Sequence, residues 1–146
     1  MKKVLCVTMA AVLIFLLCAC NFTTNFSDSM GITSADCIPE VEAVLQALTD
    51  GKNDEAATHF HPNVAEKSDD ALEQMRDYLN GRSVSELTQQ GFRVNTSTGT
   101  AGKVRQEAVT LKVVLEDGVV WYLSATHLGD KDGEGFVSFQ LVLGVV

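Results

Sequence analysis

The chain has 146 residues and a formal net charge of −8, and 46% of its residues are hydrophobic. That suffices for one domain with its own core. The scattered acidic surface excludes nucleic acid, and attachment to anionic lipid through a basic patch, as modes of binding.

Met1, Lys2 and Lys3 precede an uncharged run from Val4 to Ala19. A basic start, an apolar middle and a small residue at the end form the pattern of a secretory signal. The run is about as short as a spanning helix can be, and no Lys or Arg follows before Lys52 to flank a stop-transfer anchor. Leu17-Cys18-Ala19-Cys20 resembles the lipobox of bacterial lipoproteins. The resemblance implies cleavage after Ala19 and lipid on Cys20, which would anchor the protein to the cell membrane on its extracytoplasmic side. Two or more acyl chains hold a protein stably where one does not. Loss of Lys2 and Lys3 with residues 1–19 takes the formal charge from −8 to −10. Cys6 and Cys18 leave with the signal and Cys20 takes lipid, so Cys37 has no intramolecular partner. The domain is then held by its core and not by disulfides.

Residues 20–35 read as the lipidated cysteine and a flexible tether, about 20 Å in span as a coil. The domain is expected over residues 36–146. A first helix is predicted from Cys37 to Asp50, with Asp36 as N-cap, Pro39 in the first turn and Gly51 as the stop. Its stripe is Ile38, Val41, Val44, Leu45 and Leu48, at spacings of three and four. A second helix begins at Asn53 as its cap, turns Ala56, Ala57 and Phe60 inward, and ends at Pro62. Ser68 caps a third helix with the stripe Leu72, Met75, Tyr78 and Leu79, closed by Asn80-Gly81. Ser83-x-x-Glu86 reads as a capping box for a short helical turn up to Gln90.

From Gly91 the period becomes two. An irregular first strand holds Phe92, Val94 and Thr96. A second runs Arg105, Glu107, Val109, Leu111, Val113, Leu115 on one face. A third runs Val119, Trp121, Leu123, Ala125, His127, and a fourth Val137, Phe139, Leu141, Leu143, Val145. A three-residue loop Glu116-Asp117-Gly118 with left-handed Gly118 pairs Leu115 with Val119 and puts the greasy residues of both strands on one face. A two-residue turn would split them. Helices followed by an antiparallel meander predict an α+β fold, with helices packed on one face of a curved sheet of about four strands.

The helix Val41-Glu42-Ala43-Val44-Leu45-Gln46-Ala47-Leu48-Thr49-Asp50-Gly51-Lys52, a short helix ending in Phe60-His61-Pro62 and the late sheet resemble the nuclear transport factor 2-like superfamily, a cone-shaped, cystatin-like α+β fold. Some of its members are isomerases or dehydratases that use Asp, His and Tyr inside the cone. The resemblance implies a cone with Trp121 deep in it and Tyr78, Phe60, Phe139 and His127 on its walls. An apolar pocket with a few polar groups is the usual form of a ligand site, and His127 and Tyr78 would supply those groups.

Three constellations invite chemistry. His59-Phe60-His61 could bind a metal if His127 or a carboxylate joined, but at a helix end before Pro62 the imidazoles are expected to satisfy carbonyls and the helix dipole. Asp130-Lys131-Asp132-Gly133-Glu134-Gly135 resembles the start of a calcium loop, yet its twelfth position is Leu141, so a solvated hairpin is expected. Glu107 is the acid on the apolar sheet face, and an ion pair with Arg105 is expected near the mouth. No Gly-x-Ser-x-Gly, P-loop or clustered metal ligands occur, so no metal or other cofactor is expected. The leading expectation is a non-catalytic, lipid-anchored domain that binds a small apolar ligand or an envelope protein. The alternatives are an enzyme using His127 or Glu107, and a cell-envelope component that dimerises through its sheet.

Overall fold

A computed structural model describes residues 35–144. The signal segment, Cys20, nearly all of the tether and Val145 lie outside the described residues. Four helices, α1 (Ile38–Thr49), α2 (Asn53–Ala57), α3 (Pro62–Ala65) and α4 (Asp69–Leu79), precede four strands: β1 (Val84–Gly99), β2 (Gly102–Leu115), β3 (Val120–Asp130) and β4 (Gly133–Leu143). The strands form one curved, unclosed antiparallel sheet in the order β1-β2-β3-β4, so the expected α+β layout is present. Among the described residues no helix is long and apolar enough to cross a membrane.

The helical stripe of α1 becomes the core as expected: Val41, Val44, Leu45 and Leu48 are buried, with Ala47 beside them, and Ile38 packs on their edge. They meet Val109, Leu111, Val113 and Leu115 of β2 and Leu123 and Ala125 of β3. Each fully buried Leu or Val contributes roughly 1.5–3 kcal/mol by leaving water. The β2–β3 loop has the expected form. Leu115 N–H donates to the Val119 carbonyl at 2.9 Å, Gly118 N–H donates to the Leu115 carbonyl at 2.9 Å, and Gly118 has φ +83°. Val113 consequently faces Trp121 on the core side.

Several boundaries differ from the sequence reading. Ser83 to Gln90 is not helical: Val84 starts β1, and Glu86, Leu87, Thr88 and Gln89 pair with Val114, Val113, Lys112 and Leu111. The backbone groups on that side of β2 need partners, and this demand outweighs a local capping signal. Glu86 accepts from the Thr88 hydroxyl at 2.7 Å instead of capping. Cys37, not Asp36, is the N-cap of α1, and Lys52, not Asn53, that of α2. Asp36 is drawn to Arg105 at 2.7 Å. Pro62 does not end a helix; it opens α3, where a missing N–H is harmless. Ser68 holds the N-cap position of α4, but its hydroxyl donates to the Ala65 carbonyl at 2.6 Å and makes no cap bond. Asn80 ends α4 as expected, left-handed at φ +50°.

β4 departs most. A register shift between Thr126 and His127 pairs His127 with Phe136. Phe136 is thereby turned into the core and fully buried; Leu143 stays opposite Trp121, on the expected face, but at the end of the strand it is 54% exposed. Lys131 and Asp132 form a tight two-residue turn, closed by the Asp130–Gly133 pair.

Candidate functional site

Apolar packing occupies the interior of the helix–sheet layer. Tyr78 of α4 stacks on Trp121 of β3 with centroids 5.1 Å apart and planes inclined by 22°. Phe60, Phe136 and Phe139 pack edge-on at 5.1–6.1 Å, and His127 meets Phe136 edge-on at 5.2 Å. The residues expected on the cone walls therefore fall into two groups. Trp121 and His127 are six positions apart on β3, which is about 20 Å of strand. Phe60, Phe139 and His127 sit together at one end, Tyr78 and Trp121 at the other. Trp121 is only 8% exposed, and its buried Nε1–H has no acceptor among the described residues.

The polar groups converge elsewhere, where the start of α1 crosses β2 and β3. Asp36, Cys37 and Glu40 come from α1 and its cap, Arg105 and Glu107 from β2, His127 from β3. They line a cavity of about 70 Å³, room for a few waters and too little for an organic substrate. Glu107 and His127 stand directly opposite each other across β2 and β3 and are 4% and 6% exposed. Burial of a carboxylate is costly unless it is paired, and Glu107 is paired twice. Its Oε2 accepts the Cys37 N–H at 3.1 Å, and Arg105 makes an ion pair with Oε1. The sequence reading paired Arg105 with Glu107, and the two do meet. Arg105 also bonds Asp36, which with the neighbouring carboxylates holds its guanidinium charged. Burial, with Glu107 beside it, pushes the Cys37 thiol up to about 12. The thiol is thus a neutral packing group and not a nucleophile.

His127 Nε2 lies 3.2 Å from Glu40 Oε2, and His59 Nδ1 lies 4.0 Å from the same oxygen. His61 points away from both. It is fully buried, its Nδ1 accepts the Asn63 N–H at 3.2 Å, and its Nε2 contacts Asp130 Oδ1 at 3.1 Å. Because a backbone N–H can only donate, Nδ1 is the bare nitrogen and Nε2–H donates to Asp130. His61 thus caps the start of α3 and does not complement a helix end as the sequence suggested. His61 is thus separated from His59 and His127, and among the described residues no cluster of His, Cys, Asp and Glu is arranged to hold a metal. Asp130 accepts from His61 and from the Asp132 N–H, at 2.8 Å in the latter case. Despite its desolvation, these bonds hold its carboxyl below the ordinary range.

Sequence reasoning missed Phe136, Cys37 and Glu40 as neighbours of His127. Phe136 is hidden by the bulge, which breaks the period of two. Cys37 and Glu40 reach the site through the crossing of α1 over the sheet, and no local pattern encodes that crossing. Compared with known proteins, the chain matches no family model, no curated protein and no solved structure.

Proposed function

We propose that this protein is a bacterial lipoprotein, held by lipid on Cys20 to the outer side of the cell membrane, whose domain is a non-catalytic module that binds a protein partner. The nuclear transport factor 2-like layout remains our reading of the helix–sheet arrangement. The observation that carries the choice of partner is the interior itself. Tyr78 packs on Trp121, and Phe60, Phe136 and Phe139 pack on one another, filling both ends of the interior where a small apolar ligand would have to sit. What the fold offers to others is surface, including Tyr122, Val142 and Leu143. The opposed buried pair Glu107 and His127 favours a second reading, an acid–base site for a very small substrate. Full pairing of Glu107 with Arg105 and Cys37 weighs against it.

Two measurements test the proposal. Labelled fatty acid should enter the wild type and not Cys20→Ser, and the variant should leave the membrane fraction or accumulate as precursor; equal labelling of the two would overturn the anchor. Titration with apolar probes and steroid-like ligands should leave the fluorescence of Trp121, the single tryptophan, unchanged. Saturable quenching would overturn the protein-partner reading in favour of an apolar ligand.

A further inference from the structure

β1 forms an outer edge of the sheet, and among the described residues it pairs with β2 alone. Such an edge presents backbone donors and acceptors to any strand that matches it. Two register shifts, between Val84 and Glu86 and between Gln89 and Gly91, bend it: regular growth starts at Glu86, and the second shift falls in the middle of the run Glu86 to Arg93. The residues of that run follow a pattern with a consequence. Leu87 and Phe92 pair with Val113 and Val109, which are buried, so both face the core side; both pack on the core edge only partly buried. Glu86, Gly91 and Arg93 pair with Val114, Thr110 and Ala108, on the opposite face. The extra residue of the second bulge lets even- and odd-numbered positions share a face.

We propose that two copies of this chain join edge to edge through β1, antiparallel, about a two-fold axis passing between Gln89 and Gln90. In that register Leu87 lies opposite Phe92 of the second copy on the core side. On the other face Thr88 lies opposite Gly91 and Glu86 opposite Arg93. Residues opposed in an antiparallel pair must share a face, and these pairs all do. Both faces are also complementary in kind, apolar to apolar and acid to base. Each contact occurs twice, as an isologous interface requires. The charge pairing is what selects a second copy over another strand. A groove of about 490 Å³ between α1 and β1, lined by Glu42, Gln46 and Ser85 as well as Ala43, Val84 and Leu87, adjoins Leu87 and leaves room for the second copy's Phe92. The Ala35 N–H bonds the Gln89 side chain at 3.0 Å, so both chains enter their domains beside the axis. This inference concerns the domain and does not depend on lipid at Cys20 or on the proposed partner.

Sedimentation equilibrium of the processed chain in mild detergent tests it. The wild type should sediment at twice the chain mass. Glu86→Arg and Arg93→Glu should each weaken association about tenfold by placing like charges opposite. The double exchange Glu86→Arg/Arg93→Glu should restore it. Within one chain these residues are seven positions apart, about 23 Å along the strand, so rescue has no intramolecular route. A chain carrying Thr88→Cys and Gly91→Cys should run as a covalent dimer after mild oxidation, and this readout stands even if a charge variant folds poorly. A monomeric wild type, an exchange that fails to rescue while its circular dichroism is native, or absence of the covalent dimer would each overturn the proposal.

Discussion

At the residue scale, Trp121 shows how a buried aromatic can be both anchor and compromise. Its ring stacks on Tyr78 and is almost wholly removed from water, yet its indole N–H is buried without an acceptor among the described residues. An unmade hydrogen bond of that kind costs about 1–3 kcal/mol. Trp121→Ala should therefore destabilise by about 3–5 kcal/mol through lost burial and a void. Trp121→Phe keeps most of the packing and removes the orphan donor, so its cost should be well below that of the alanine change. Urea denaturation of both variants, followed by circular dichroism, separates the two effects. Equal losses would show that the N–H is satisfied and that the indole volume alone matters. Arg82 is a second residue whose weight exceeds its notice in the sequence. Its guanidinium donates to the Tyr78 and Leu79 carbonyls at 2.5 and 2.8 Å and to Asp117 at 2.7 Å. It thereby satisfies the end of α4 and ties it to the β2–β3 loop. Arg82→Met should lower stability by about 1.5–3 kcal/mol, the range for hydrogen bonds to a charged group, with most of the loss unaffected by salt because the carbonyl bonds do not depend on an ion pair.

At the element scale, the segment from His59 to Pro62 is stitched onto β4. His61 N–H donates to the Phe136 carbonyl at 3.0 Å, and Phe136 N–H donates to the His59 carbonyl at 2.9 Å. Close approach of the two backbones requires Gly135. A Cβ there would stand 2.5 Å from His61 N and from the Phe60 carbonyl carbon, and φ is +151°. Gly135→Ala combines a backbone conformation costing about 1–3 kcal/mol with that clash, so it should either unfold the protein or lower its thermal midpoint steeply. Gly99→Ala meets nothing within 4 Å and should leave the midpoint nearly unchanged. Differential scanning calorimetry of the two variants is the comparison. If Gly135→Ala melts like the wild type, the contact between the 59–62 segment and β4 is not formed in solution.

For the whole molecule, stability should fall at both ends of the pH scale for identifiable reasons. The folded Asp130 carboxyl is held below its ordinary value of 3.8. The stability this confers is present above that value and is lost as pH falls through the folded one. Asp130→Asn should flatten that acid limb. The Cys37 thiol runs the other way: it is pushed from 9.0 to about 12 by burial. Its contribution is complete below pH 9, where both states hold the proton. Above it the unfolded state releases the proton first and stability declines, by about 1.4 kcal/mol per pH unit. Guanidinium unfolding at pH 8, 9 and 10 should show the decline in the wild type and a shallower one in Cys37→Ala. Equal slopes would place the thiol in water.

The sequence by itself determined what depends on short-range periodicity and on chain chemistry: the apolar stripes of α1 and α4, the end of α4 at Asn80-Gly81, and the β2–β3 register. That register was legible because a slip of one residue would expose every buried side chain of the hairpin at once. The Arg105–Glu107 pair was legible for a related reason, since residues two apart on a strand share a face. Only the tertiary structure decided the rest. Ser83 to Gln90 carries a helix-start signal and becomes strand because β2 needs a partner on that side. Phe136 enters the core because one bulge shifts the register of β4. His59 and His127, far apart in sequence, converge on one Glu40 oxygen, while His61, two residues from His59, turns away to Asp130. In each case the deciding contact joins different elements of the fold, so its energy outweighs local preference and leaves no mark in the local pattern.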